Sequence, residues 1–356
     1  MSDPSLDTLR ERVRQLDLEL LARAAERVRL ARQIGEIKRR QSLPTVDYEQ
    51  EKVVIDRARA GAAEQGLDPG IAADLFAGLI RASLTAQEEE NVRTAAAGVG
   101  QSAVVVGGAG RMGRWLGRFL SAQGYTLDAL DPAAAPDESA RARAALRTAD
   151  LVVCSTPPAA TAALYDAWCA APPAGVVVDI ASIKTPLVEP IRRLREAGGR
   201  VASIHPMFGP SAVLLRGADV VVCDTGDAEA TAAAEQLFQP TTAHVVRLPL
   251  ADHDRVMADL LSLAHVTAIA FALALPDREH PVRSTTFRAL ESLAAAVVRE
   301  SPDVYYEIQA MNPHSAAALE RLRAALDRII AAVTARDAQT FRGLLEEGRR
   351  RTPSEA

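Results

Sequence analysis

Cysteine is scarce in this chain of 356 residues: there are three. Cys154, Cys169 and Cys223 are scattered and odd in number, with none of the short paired spacings of a zinc site. This usage excludes a disulfide framework, predicts no metal site and fits a reducing, cytoplasmic compartment. Nor is there an excess of one charge. Lys and Arg number 41 against 46 Asp and Glu, a net charge of −5. The basic runs Lys38-Arg39-Arg40 and Arg349-Arg350-Arg351 are short and read as solvated helix faces. Nothing in this balance favours nucleic acid or an anionic membrane as a partner. No apolar run approaches the ~20 residues that span a bilayer, and the N-terminus shows no signal-peptide pattern. Proline is missing between Ser5 and Arg40, where Gly35 is the lone glycine. A long uninterrupted helix is therefore predicted there.

What is present is modular. At about 100–200 residues per domain, this length predicts two or three domains. The composition divides the chain into an all-α three-helix domain (1–95), a linker (96–101), an α/β Rossmann dinucleotide-binding domain (102–247) and an all-α C-terminal domain (248–356). The first helix ends before Pro44, a second runs from about Asp47 to Ala63, and a third starts after Asp68-Pro69 and reaches about Thr94. A helix of this length rises about 50 Å at 1.5 Å per residue, more than two shorter helices can cover. With Leu6, Leu9, Val13, Leu16, Leu20 and Leu21 along it, it predicts packing against a second copy, a homodimer.

The most specific local signal is Val104-Val-Val-Gly-Gly-Ala-Gly-Arg-Met-Gly113. Gly108, Gly110 and Gly113 have the G-x-G-x-x-G spacing, after a buried strand and before an amphipathic segment carrying Trp115, Leu116, Phe119 and Leu120. In that context Gly108 is expected to make the tight turn, Gly110 to admit a pyrophosphate to the backbone, and Gly113 to let helix pack on strand. The helix start, including Arg111 and Met112, supplies free N–H groups to the anion. A second strand, Tyr125–Leu130, ends at Asp131. A carboxylate there accepts hydrogen bonds from a ribose 2′-hydroxyl and repels a 2′-phosphate, so the cofactor expected is NAD. Strands are also predicted at Leu151–Ser155, Val176–Ile180, Val201–Ile204 and Asp219–Cys223, all of buried parallel type with helices between them. Helices are predicted for Leu250–Ala274, Thr285–Arg299, Val304–Ala310 and His314–Thr334.

Two regions place polar residues where chemistry needs them. In the first helix Arg27 and Lys38 lie about three turns apart and project from one side, whereas Arg10 points about a quarter-turn away. Asp47 and Glu51, and likewise Ser83 and Gln87, share faces at i, i+4 spacing. With Leu9-Arg10, Asp17, Leu20-Leu21, Ala25-Glu26-Arg27, Ile34-Gly35-Glu36-Ile37-Lys38 and Pro44, these residues resemble the all-helical chorismate mutase family over nearly all of 5–90. The resemblance implies that Arg27, together with an Arg10 lent by the partner protomer, holds the two carboxylates of chorismate. Lys38 and Gln87 would donate to the ether oxygen, and Asp47 and Glu51 would hold the group on ring carbon 4, with Ser83 also contacting the substrate. The rearrangement to prephenate needs no nucleophile or proton transfer, only a compact conformer and positive charge near the breaking bond. Gln50 departs from the family, which usually has an arginine there.

The second region has Ser182 and His205 after predicted strands, where ligands bind an open parallel sheet. Imidazole, with an ordinary pKa near neutrality, suits proton removal from a hydroxyl as hydride leaves the same carbon. The string Ser203-Ile-His-Pro-Met-Phe-Gly-Pro210, with Ser155-Thr-Pro157, Asp179–Lys184, His253-Asp254, Ser284–Arg288 and Pro302–Ile308, resembles the prephenate dehydrogenases fused to a chorismate mutase. By that resemblance His205 accepts the C4 hydroxyl proton, Ser182 hydrogen-bonds to that hydroxyl or to His205, and Arg288 pairs with a substrate carboxylate. His265, Tyr305 and His253 line the cleft, and Ser155 and Thr156 contact the cofactor. The segment Leu261-Ser-Leu-Ala-His265 departs from the enteric pattern at Leu261 and Ala264. The expected function is chorismate to prephenate, then NAD-dependent oxidative decarboxylation to 4-hydroxyphenylpyruvate, in tyrosine biosynthesis. Two other readings use the same residues: both reactions on 4-amino-4-deoxy substrates in specialised metabolism, or a dehydrogenase whose helical domain serves only for dimerisation or effector binding.

Overall fold

The computed structural model describes residues 4–132, 136–277, 281–299 and 301–352. The chain forms two compact units. The first comprises 1–156, 165–180 and 193–247; the second comprises 157–164, 181–192 and 248–356.

The first unit opens with α1 (Leu6–Arg40), α2 (Tyr48–Glu64) and α3 (Pro69–Ala95). Each starts where a side chain replaces a missing intrahelical acceptor. Ser5 accepts from the Thr8 N–H, Asp47 from Gln50, and Asp68 from Gly70 and Ile71, with Pro69 in the first turn of α3. α3 packs on both α1 and α2, burying Ile80, Leu84, Ala86 and Val92. The N-terminal half of α1 has no such cover, and Leu6, Leu9, Val13, Leu16, Leu20 and Leu21 are exposed.

The elements that follow are β1 (Ser102–Val106), α4 (Arg111–Ala122), β2 (Thr126–Leu130), α5 (Pro136–Ala145), β3 (Leu151–Cys154), α6 (Pro158–Trp168), β4 (Val176–Asp179), α7 (Val188–Glu196), β5 (Arg200–Pro206), β6 (Asp219–Asp224), α8 (Ala228–Gln236) and β7 (His244–Pro249). The seven strands form one sheet in the order β2-β1-β3-β4-β5-β6-β7. β1 to β5 are parallel, with central strands that are continuous apolar runs, as strands covered on both faces must be. Their inward side chains pack with Trp115, Leu116 and Leu120 of α4 and with Ala230, Ala234, Leu237 and Phe238.

Two expectations about the sheet are corrected. The strand at 219–224 is antiparallel to β5, pairing His205 with Val221 and Ser203 with Cys223, and no helix separates them. A connection running 207–218 returns the chain directly, and a parallel crossover would have needed a dozen or more residues and usually a helix. β7 was not among the predicted strands; its alternation of exposed and half-buried residues marks an edge.

The second unit is helical: α9 (Leu250–Met257), α10 (Ala264–Ala274), α11 (Thr285–Val298), α12 (Pro302–Ala310), α13 (Ser315–Thr334) and α14 (Ala338–Arg351). α9 and α10 are joined by a wide π turn at Ala258–Leu263. The continuous stretch Leu250–Ala274 is long and apolar enough to cross a membrane, which corrects the expectation that no apolar run approaches that length. Its polar side chains point to a packed role instead. His253, Asp254 and Ser262 are buried, and Ser262 Oγ lies 2.6 Å from Ser315 Oγ of α13.

Candidate active sites

A cavity of about 340 Å³ opens among α1, α2 and α3. Arg27, Lys38, Asp47, Glu51, Ser83 and Gln87 all line it, with Gln50 beside them and Leu30, Ile34, Val54, Ile80 and Leu84 as apolar wall. Arg27 Nη1 donates to Ser83 Oγ at 2.5 Å and to the Leu79 carbonyl at 2.7 Å. This leaves the other N–H groups of the five-donor guanidinium for a ligand. Burial pulls the Arg27 pKa below its ordinary value. Lys38 Nζ donates to the Thr45 carbonyl at 3.0 Å. Gln87 Nε2 donates to the Ala31 carbonyl at 2.8 Å, which positions its second N–H. The close approach of α3 that permits this bond requires Gly35, where a Cβ would lie 2.9 Å from Gln87 Cγ.

The cavity also holds acceptors. Asp47 Oδ1 accepts from the Gln50 N–H at 3.0 Å, so this carboxylate both caps α2 and faces the pocket. Glu51 Oε2 lies 2.8 Å from Arg216 Nη1, while its Oε1 is buried with no partner among the described residues. Arg10 is not part of this pocket. It is exposed and lies 3.6 Å from Asp7.

The glycine turn between β1 and α4 departs from the expected division of roles. Gly107, not Gly108, has the left-handed backbone, with φ +83, and a Cβ there would sit 2.4 Å from the Ser155 carbonyl oxygen. The tight turn therefore belongs to Gly107. Gly110 is the N-cap of α4 and, lacking a side chain, supplies no capping acceptor to the first turn. At Gly113 a Cβ would meet the Gly107 carbonyl oxygen at 2.1 Å. Asp131 Oδ2 accepts from the Ala109 N–H at 3.0 Å, bringing the carboxylate at the end of β2 to the turn. Ser155 begins at the end of β3 with its N–H on the Val106 carbonyl at 2.8 Å. Gly113→Ala is expected to push α4 off the sheet, lowering dinucleotide affinity at least about tenfold and stability by about 1–3 kcal/mol; cofactor titration and thermal melting of the same sample measure both.

His205 is the penultimate residue of β5 and is buried at 4% exposure. The connection after it is anchored to α4: Phe208 packs on Trp115 at 5.0 Å between ring centroids, and Trp115 Nε1 donates to the Ala212 carbonyl at 2.9 Å.

In the second unit, Asp254 organises the segment that carries Ser182. Its Oδ1 accepts from the Lys184 N–H at 2.8 Å, its Oδ2 from the Thr185 N–H at 2.7 Å, and His253 Nδ1 lies 2.7 Å from Oδ1. Burial raises the pKa of this carboxyl, but those hydrogen bonds outweigh burial and hold it down at about 2. The group thus favours the folded state above the ordinary carboxylate range, and that contribution is lost as pH falls through about 2. His253 is fully buried beside Asp254. Lys184 is also fully buried. His265 and Tyr305 meet edge to face at 4.5 Å; burial lowers the His265 pKa, and its Nδ1 has no partner among the described residues. Arg288 is exposed on α11, and Ser182 is half-buried.

Residues 9–88 match the chorismate mutase type II family, and 122–247 match the prephenate dehydrogenase nucleotide-binding domain. The T-protein of Enterobacter agglomerans is 28% identical over 343 residues, covering 94% of this chain and 90% of that protein. The 4-amino-4-deoxyprephenate dehydrogenase of Streptomyces pristinaespiralis is 32% identical over 266 residues, covering 68% of this chain and 88% of that one. The chain belongs to the chorismate mutase–prephenate dehydrogenase family. Among solved structures, prephenate dehydrogenase from A. aeolicus in complex with hydroxyphenyl propionate and NAD+ aligns at TM-score 0.56 and 17% identity, covering 70% of this chain and 96% of that one. That likeness establishes the shared dehydrogenase fold.

Sequence reasoning about this mutase–dehydrogenase missed two residues that tie the pocket's helices to the connections of the sheet. Arg216 comes from the β5–β6 connection, far along the chain from its partner Glu51. Glu88 directly follows Gln87 on α3, and accepts from the Leu215 N–H at 3.0 Å and the Thr242 N–H at 2.7 Å. The one available signal was weak: a carboxylate in the middle of an otherwise buried helical face.

Proposed function

We propose that this enzyme rearranges chorismate to prephenate in the pocket of α1–α3, then oxidatively decarboxylates prephenate to 4-hydroxyphenylpyruvate, using NAD, on the route to tyrosine. The observation that carries the mutase half is the convergence of Arg27, Lys38 and Gln87 with Asp47 and Glu51 on one small, apolar-walled cavity. That set offers cations and an amide N–H to the carboxylates and ether oxygen, and carboxylates to the C4 hydroxyl. A preorganised field of this kind is what a concerted rearrangement needs. Ser83 fixes the Arg27 guanidinium through its hydroxyl.

For the dehydrogenase half, the start of α4 at Gly110, Arg111 and Met112 holds the pyrophosphate of the dinucleotide. Asp131 holds the adenosine ribose, and Ser155 and Thr156 border the turn. Bound NAD supplies the hydride acceptor. His205 takes the C4 hydroxyl proton, and loss of the ring carboxylate as CO2 makes the product aromatic. Arg10, remote from its own pocket, serves the pocket of a second protomer, and the exposed leucine row of α1 is the surface that buries in that homodimer. Three free cysteines suit a cytoplasmic enzyme.

One finding favours a second reading, that both halves act on 4-amino-4-deoxy substrates: the 32% identity to the 4-amino-4-deoxyprephenate dehydrogenase. A carboxylate such as Glu51 holds an ammonium as readily as a hydroxyl. The test is to mix the protein with NAD and either prephenate or 4-amino-4-deoxyprephenate and follow reduced nicotinamide by absorbance. Turnover of prephenate at least tenfold more efficient than of the amino analogue is expected, and the reverse ratio would transfer the enzyme to specialised metabolism.

A further inference from the structure

The two oxygens of the Glu51 carboxylate in the pocket have opposite fates. Oε2 is held at 2.8 Å by Arg216, and Oε1 is buried with no partner among the described residues. Arg216 is itself held in place. Its guanidinium carbon lies 5.0 Å from the centroid of the Tyr48 ring, on the first turn of α2, so stacking and ion pairing fix it together. The backbone beneath it is fixed as well. Leu215, the preceding residue, is 2% exposed and its N–H is bound by Glu88 of α3, which also binds Thr242. Three residues before Leu215, the Ala212 carbonyl is held by Trp115. The connection is therefore fastened to the dinucleotide-binding helix at Ala212 and to the helix that carries Ser83 and Gln87 at Leu215.

Charge gives this arrangement its meaning. Position 50, beside Glu51 on the cavity wall, is an uncharged glutamine. The cation that neutralises and orients Glu51 comes from the β5–β6 connection of the sheet. We infer that Arg216 is a positioning residue of the mutase pocket: by clamping Oε2 it aims Oε1 at the C4 substituent of the substrate. The mutase half thus depends on a side chain of the dehydrogenase half for substrate affinity. This inference rests on the mutase reading above. Glu51 contacts the C4 group in the ground state and the transition state alike, so its misplacement acts on binding more than on the chemical step.

The test uses the full-length enzyme and its Arg216→Ala and Arg216→Lys variants, with chorismate consumption and oxidation of supplied prephenate measured separately. Arg216→Ala is expected to raise KM for chorismate about 10- to 50-fold with kcat within about threefold, the scale for truncating one partner of a half-buried charge pair. Arg216→Lys, which keeps the charge but loses the planar fork, is expected to recover most of that loss. Prephenate oxidation should stay within about twofold in both variants. An Arg216→Ala KM unchanged from wild type overturns the inference, as does a lysine variant no better than alanine. So does a parallel fall in prephenate oxidation, which would mean that the connection had merely collapsed. Wild-type protein that does not rearrange chorismate would instead refute the underlying mutase reading.

Discussion

Arg27→Ala is expected to lower chorismate rearrangement by about 10²–10³-fold, the range for removing one preorganised donor from a water-poor site. The same variant should oxidise supplied prephenate within about twofold of wild type. Arg27 is already hydrogen-bonded to Ser83 and the Leu79 carbonyl, so no ordering of the guanidinium is needed when a carboxylate arrives. Its partial burial means that this charge is attenuated less by water than a surface arginine would be. Alanine removes the cation and leaves the Ser83 hydroxyl with its bond to the Leu79 carbonyl at 2.8 Å, so α3 should keep its seat. Both rates are measured on one preparation, chorismate loss by absorbance and reduced nicotinamide separately. If the helical domain served only for dimerisation or effector binding, there would be no rearrangement to lose. A drop in both activities together would refute the independence of the two sites.

The converse variant is His205→Asn. Asparagine keeps a polar group of similar length at a buried position of β5 but cannot take a proton at neutral pH. Oxidation of prephenate should fall about 10²–10⁴-fold, the usual contribution of a positioned general base, while chorismate rearrangement stays within about twofold. The strand makes this substitution well tolerated structurally: the backbone ladder to Val221 is independent of the side chain. Single-turnover kinetics with saturating NAD separate the chemical step from cofactor binding. Retention of hydride transfer by the asparagine variant would remove His205 from the base role and direct attention to another proton acceptor.

Much of this molecule was legible along the chain because its signals are local and periodic. The proline-free run from Ser5 to Arg40, the stop at Pro44 and the start after Asp68-Pro69 placed α1, α2 and α3 to within a residue or two. Helix phase also put Arg27 with Lys38, and Asp47 with Glu51, on shared faces, and it set Arg10 apart. The strand-turn-helix around 104–113 was equally readable, since the requirements of a phosphate turn fall within ten consecutive residues. Even there, the division of labour was decided by three dimensions. Which glycine turns left-handed depends on the Ser155 carbonyl pressing on Gly107 from a neighbouring strand, and a G-x-G-x-x-G spacing does not contain that contact.

What the sequence could not determine follows one rule: it joins residues with no fixed spacing. An apolar strand reads alike whether parallel or antiparallel, so the reversal at β6 was decided by the 207–218 connection folding back without a helix. The bonds from Asp254 to the Lys184 and Thr185 N–H groups, and the burial of His253 and Lys184 beside them, leave no signature along the chain. Arg216 reached Glu51, and Glu88 bound Leu215 and Thr242, only because the sheet and the helices pack in one unit. Local patterning thus set the elements and most of the mutase donors. Tertiary packing alone selected the cation that holds Glu51, because an ion pair is specified by distance in space and leaves no period in the chain.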